Sequence, residues 1–154
     1  MQIWNRINGS GSLVYWLVLA AAAGVVLCRR FRKRYADDEL DEMEGLDFEY
    51  YCAELLRNRG FIEVEVTKSS GDYGIDILAE KEGVTYAIQC KRYNGPVGVK
   101  AVQEAYAGRD FYDRMVGCVL TNQYFTQPAV DAAQKLKILL WDRDYLEEMI
   151  EEGC

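Results

Sequence analysis

Asp76, Gln89 and Lys91 are the residues whose types and spacing in this chain point to chemistry. They lie in GIDILAEKEGVTYAIQCKRY, residues 74–93, where two largely apolar runs flank Glu82-Gly83. A two-residue turn there pairs Lys81 with Val84, so that paired residue numbers sum to 165 and Asp76 stands opposite Gln89. Lys91 shares the face of Gln89 because strand side chains alternate. A carboxylate and an amide oxygen can hold a hard cation such as Mg²⁺, and the amine can position or deprotonate a water or neutralise charge in the transition state. A solvated polar strand face would satisfy the same spacing, and spacing alone does not choose between the two readings.

The elements that must position these residues follow from periodicity. Leu46 to Arg59 sets Phe48, Tyr51, Cys52, Leu55 and Leu56 at helical spacing and stops at Asn58-Arg59-Gly60. Phe61 to Thr67 alternates as a strand, and Lys68 to Gly74 is a loop of small and polar residues. Ile75 to Glu80 and Val84 to Lys91 are two further strands. After Gly95-Pro96 a helix is predicted over Val99 to Phe111, then a strand from Met115 to Thr121. Thr126 can cap a helix with Pro128 in its first turn, followed by a short strand, Ile138 to Trp141, and a helix from Arg143 to Glu151. The expected fold class is α/β, a central mixed sheet flanked by helices.

Composition narrows the chemistry. The 154 residues include no histidine, which excludes Ser-His, Cys-His and HExxH mechanisms and leaves carboxylates, amides, lysine and metal. Cys28, Cys52, Cys90, Cys118 and Cys154 are odd in number and form no CxxC pair, so they read as reduced thiols, mostly in the core. Residues 11–28, GSLVYWLVLAAAAGVVLC, carry no charge and are followed by the basic run RRFRKR. A single N-terminal transmembrane helix is therefore expected over 11–28, with residues 1–10 extracytoplasmic, a lipid bilayer as partner, and a cell-membrane localisation with the following domain cytoplasmic. The basic residues follow the apolar run rather than precede it, which separates an anchor from a cleavable signal peptide. Residues 29–44 then read as a basic stop and an acidic linker, with the domain over 45–154. Past Arg34 there are 12 basic and all 25 acidic residues, a balance that disfavours nonspecific affinity for phosphates.

The segment GDYGIDILAEKEGVTYAIQCKRY resembles the catalytic core of the Mrr-type restriction endonucleases, a branch of the PD-(D/E)XK nucleases. The likeness extends from Leu46-Asp-Phe-Glu49 through VGVKAVQEAYAG and VLTNQYFTQPAVDAA to ILLWDRDYL, essentially residues 45 to 150. It implies a restriction-endonuclease-like fold and a metal-dependent DNA endonuclease using Mg²⁺, for which Mn²⁺ can substitute. Asp76 takes the PD position, Gln89 stands where most of the superfamily has Glu or Asp and the Mrr branch has glutamine, and Lys91 takes the lysine position. Glu49 matches the acid of the first helix, and the backbone carbonyl of Cys90 is implied as a further metal ligand. Asp72 resembles a family acid too, although a Gly-Asp-Tyr-Gly loop is equally what a turn requires.

Lys68, Ser69, Arg92, Lys100 and Gln103, near the hairpin or at the start of the following helix, are the expected contacts to double-stranded DNA. No added DNA-reading domain is evident, so a role in restriction or defence, sequence or methylation preference, and a homodimeric state stay open. Two rival readings remain beside the enzyme: a nuclease-fold DNA-binding protein without turnover, and a membrane-bound interaction protein whose acidic surface docks a basic partner.

Overall fold

The computed structural model describes residues 14–24, 40–67 and 73–152. Two compact units divide at Glu39 and Leu40, and the second contains the sheet. In it, α1 (Gly45–Asn58) precedes the strands β1 (Ile62–Val66), β2 (Ile77–Lys81) and β3 (Val84–Lys91). There follow α2 (Val99–Phe111), β4 (Val116–Thr121), α3 (Gln127–Leu136), β5 (Ile138–Trp141) and α4 (Arg143–Glu152). The five strands lie in sequence order; β1, β2 and β3 pair antiparallel, while β3, β4 and β5 pair parallel through the α2 and α3 crossovers. The mixed α/β sheet expected from periodicity is present.

The β2–β3 register follows the predicted turn, from Lys81↔Val84 to Ile77↔Ile88. Glu82 and Gly83 both take positive φ, 54° and 77°, the geometry a two-residue hairpin of this twist demands. Alternation then sends Ile88 and Cys90 to one face, where they pack with Phe48, Cys52 and Leu56 of α1 and Leu146 and Met149 of α4. The opposite face is covered by Val102 and Ala105 of α2 and Ala129 and Ala133 of α3. Thr126 caps α3, accepting from the Ala129 N–H.

Leu40 is buried in the first of these cores, so the folded unit reaches back into the stretch read as an acidic linker. Asp41 explains why a charged segment docks: its carboxylate accepts from Arg143 at 3.0 and 3.1 Å and from Asn122 at 2.8 Å.

The membrane expectations are corrected. Of residues 11–28 the structure describes 14–24, an exposed helix of 11 residues, with 11–13 and 25–28 outside the described residues. No helix among the described residues is long and apolar enough to cross a membrane. The transmembrane helix, the bilayer contact and the single-pass membrane localisation with its cytoplasmic domain are withdrawn on that ground.

One glycine ties the fold to the hairpin. Gly108 of α2 is buried, and a Cβ there would stand 2.3 Å from Ile75 Cγ1 and 3.1 Å from the Tyr73 carbonyl. Gly108→Ala therefore has to displace Ile75, the residue before Asp76. The expected cost is about 1–3 kcal/mol, read as a lower urea midpoint. An unchanged midpoint would show that the helix can move away freely.

Candidate functional site

Asp76 sits where the β2–β3 ladder ends, and its backbone and side chain are both engaged. Its N–H donates to the Ile88 carbonyl at 2.9 Å, and its own carbonyl accepts from the Thr67 N–H at 2.9 Å. Its carboxylate Oδ2 accepts from the Cys90 N–H at 2.7 Å. The acid thus rests on the backbone between Gln89 and Lys91, close to the cross-strand position that the turn register predicts.

Gln89 is fully buried, and its Nε2 donates to Glu104 Oε2 on α2 at 2.7 Å. Its Oε1 is buried without a hydrogen-bond partner among the described residues. A buried acceptor left in this state is costly and calls for an explanation. Lys91 Nζ lies 3.2 Å from the same Glu104 Oε2, and the exposed Lys100 Nζ lies 3.6 Å from Oε1. Glu104 therefore gathers three donors, and sequence reasoning missed it. Its only signal was a position on the inner face of α2, one helical turn after Lys100, which does not say what it meets across the sheet.

The electrostatics follow from these contacts. Burial pushes the Glu104 carboxyl upward, but hydrogen bonds from Gln89 and Lys91, with the charges of Lys91 and Lys100, outweigh it and hold the group below its ordinary 4.5. A folded-state pKa below the unfolded one means that ionised Glu104 contributes stability above the ordinary value, and that this is lost as pH falls through the depressed one. Glu104→Gln is accordingly expected to flatten the fall in urea midpoint between about pH 5 and pH 3; parallel acid limbs in variant and parent would contradict it.

Cys90 points the other way, into the core with Cys52. Its thiol is pushed well above its ordinary value, first by a hydrogen bond with Cys52, then by burial, and then by the negative charges of Asp76 and Glu49. Cys52, Cys90 and Cys118 are free and buried, in keeping with core thiols.

The chain beyond Lys91 is fixed from β4. Thr121 Oγ1 donates to the Lys91 carbonyl at 2.6 Å, and Asn122 pairs with both backbone groups of Tyr93, at 2.9 and 3.0 Å. Neither residue was identified from sequence, because the parallel β3–β4 register has no local signature.

The expected DNA contacts divide. Lys100 and Gln103 are exposed at the start of α2, and a cleft of about 130 Å³ opens between Lys91, Tyr93, Gly98, Lys100 and Glu104. Arg92 instead turns into the fold, donating to the Asp41 carbonyl and to Asn94 Oδ1 at 3.0 Å. Lys68, Ser69 and Asp72 lie outside the described residues. Tyr73 stacks on Phe111 with ring centroids 3.8 Å apart.

The residues fit a hard divalent cation in donor chemistry. Among the described residues no three His, Cys, Asp or Glu side chains form a metal cluster. The set implied by the sequence instead mixes carboxylate with amide and backbone oxygen, the oxygen donors that Mg²⁺ takes. The orphaned Gln89 Oε1 is the observation that favours the fit.

Residues 40–150 match the restriction endonuclease family through its Mrr-type catalytic domain. The chain belongs to the restriction endonuclease family. Among solved structures, it is similar to AF1548, a protein of unknown function, at 26% identity and TM-score 0.61, over 71% of this chain and 66% of that one. The restriction-endonuclease fold is shared with the DNA modification-dependent enzyme AspBHI, at 17% identity and TM-score 0.59, over 79% of this chain and 36% of that one. It is also shared with MspJI, solved in complex with a 27-mer oligonucleotide, at 17% identity and TM-score 0.54, over 77% and 30%. The chain thus spans just under two thirds of the first of these proteins and about a third of the other two. No curated protein matches it.

Proposed function

We propose that this protein is a divalent-metal-dependent endonuclease of double-stranded DNA, using Mg²⁺ with Mn²⁺ as a substitute. The reading rests on family membership and on one observation above all, the buried Gln89 Oε1 that lacks a donor beside an Asp76 carboxylate docked on the Cys90 N–H. Asp76, Gln89 Oε1 and the Cys90 carbonyl would hold the cation, with Glu49 completing the acidic side. Bound there, a divalent cation supplies Lewis-acid stabilisation of the phosphodiester and acidifies water.

The chain's own groups do the rest. Lys91, held by Glu104, presents its ammonium to charge that develops on the phosphate as the bond breaks. Lys100 and Gln103, on the exposed start of α2, engage the DNA backbone beside the cleft; that local placement offsets the acidic surface elsewhere, since the field depends on distribution rather than total charge.

Gln89→Leu tests this reading, because it fills the same volume without an oxygen. Metal-supported cleavage of a labelled duplex is expected to fall by about a hundredfold, with the melting temperature retained or raised. Undiminished cleavage by the variant would remove Gln89 from the site and with it the main support for the metal.

A further inference from the structure

The two ends of the Gln89 amide have different surroundings. Nε2 meets Glu104 Oε2 at 2.7 Å, whereas Oε1 is buried with no partner among the described residues. A carboxylate can only accept, so it must face the NH₂ end. The two ends of a primary amide are otherwise nearly the same in size, and an amide without that constraint can turn over and present N–H donors where the oxygen was. An N–H donor pointed at a cation is repulsive; an amide oxygen is a ligand. Space is also allotted to the amino end: a Cβ on Gly74, whose φ is +78°, would lie only 3.0 Å from Nε2.

We propose that Glu104 is a positioning residue which, by holding the amino end of Gln89, leaves the amide oxygen for a divalent cation. The inference rests on the metal-dependent reading of the site given above. It assigns Glu104 an effect on metal affinity exerted through Gln89, distinct from its ion pairs with Lys91 and Lys100 at 3.2 and 3.6 Å.

The test follows Mn²⁺ binding to the full chain, without DNA, by the loss of the free-ion EPR signal. Four proteins are compared: the parent, Glu104→Gln, the double variant Gln89→Glu/Glu104→Gln, and Lys91→Met. Circular dichroism checks that each is folded. Glu104→Gln introduces an amide that can both donate and accept, so Gln89 loses its fixed orientation; Mn²⁺ affinity is expected to fall about tenfold or more. The double variant keeps the hydrogen bond with donor and acceptor exchanged and turns a carboxylate oxygen to the cation, so the affinity is expected to return at least to that of the parent. Lys91→Met removes the ion pair while leaving the Gln89–Glu104 bond, and stays within about threefold of the parent.

Equal affinity of the parent and Glu104→Gln would overturn the inference alone. So would a double variant that stays weak, or a Lys91→Met protein as weak as Glu104→Gln, since the ion pair would then carry the effect. If Glu104→Gln does not fold, a double variant that binds Mn²⁺ weakly still overturns the inference. A parent that binds no Mn²⁺ sinks the metal reading and the inference together, whereas a parent that binds Mn²⁺ but leaves DNA intact sinks the endonuclease reading and leaves Glu104 to be judged by affinity.

Discussion

Asp76→Asn is expected to lower DNA cleavage by about a thousandfold or more while the protein stays folded. The asparagine oxygen can still accept from the Cys90 N–H, now 2.7 Å from the carboxylate, so the end of the hairpin keeps its tie. Only the negative charge is removed. A carboxylate ligand whose loss costs about 4 kcal/mol of transition-state stabilisation corresponds to that thousandfold. Asp76→Ala is a blunter choice, since it also strands the Cys90 N–H at a cost of about 1–3 kcal/mol in stability. The informative pair of measurements is single-turnover cleavage and Mn²⁺ affinity: Asp76→Asn should lose both. A folded Asp76→Asn protein that cuts within about tenfold of the parent would place the chemistry elsewhere.

Lys91→Ala should separate those two quantities. Lys91 is an amine and no metal ligand in this arrangement, so the metal concentration at half-maximal rate is expected to move little. The single-turnover rate should fall by about a hundred- to a thousandfold, the size of effect seen when one preorganised donor to a developing oxyanion is removed. The side chain is 21% exposed and pairs with Glu104 at 3.2 Å, so its removal leaves Glu104 with the Gln89 bond and the more distant Lys100. A Lys91→Ala protein with full rate would refute the role given to the ammonium.

How much of this was legible in the sequence depends on how local the determining interactions are. The Glu82-Gly83 turn fixes the register of β2 on β3, because both positive φ values are set within two residues and every later pair follows. The bounds of β3, α2 and β5 and the Thr126 cap were likewise readable from periodicity and capping chemistry. Glu104 was not, since its value lies in meeting Gln89 and Lys91 across the packing of α2 on the sheet. Arg92 was read only from its position beside Lys91, and its hydrogen bond to the Asp41 carbonyl, 51 residues earlier in the chain, has no local signature. Asp41 itself sits in a run that reads as solvated and acidic until Asn122 and Arg143 are brought to it. The apolar run at 11–28 misled for a different reason: composition satisfied a membrane rule that no helix among the described residues meets.

The measurement that bears most directly on the central claim is cleavage of supercoiled plasmid by the purified full chain in Mg²⁺, Mn²⁺ or EDTA, with Asp76→Asn alongside. Nicked and linear DNA in either metal, abolished by EDTA and by the variant, is the predicted result. Intact plasmid in both metals from folded parent protein, or cutting that survives EDTA, would contradict the account.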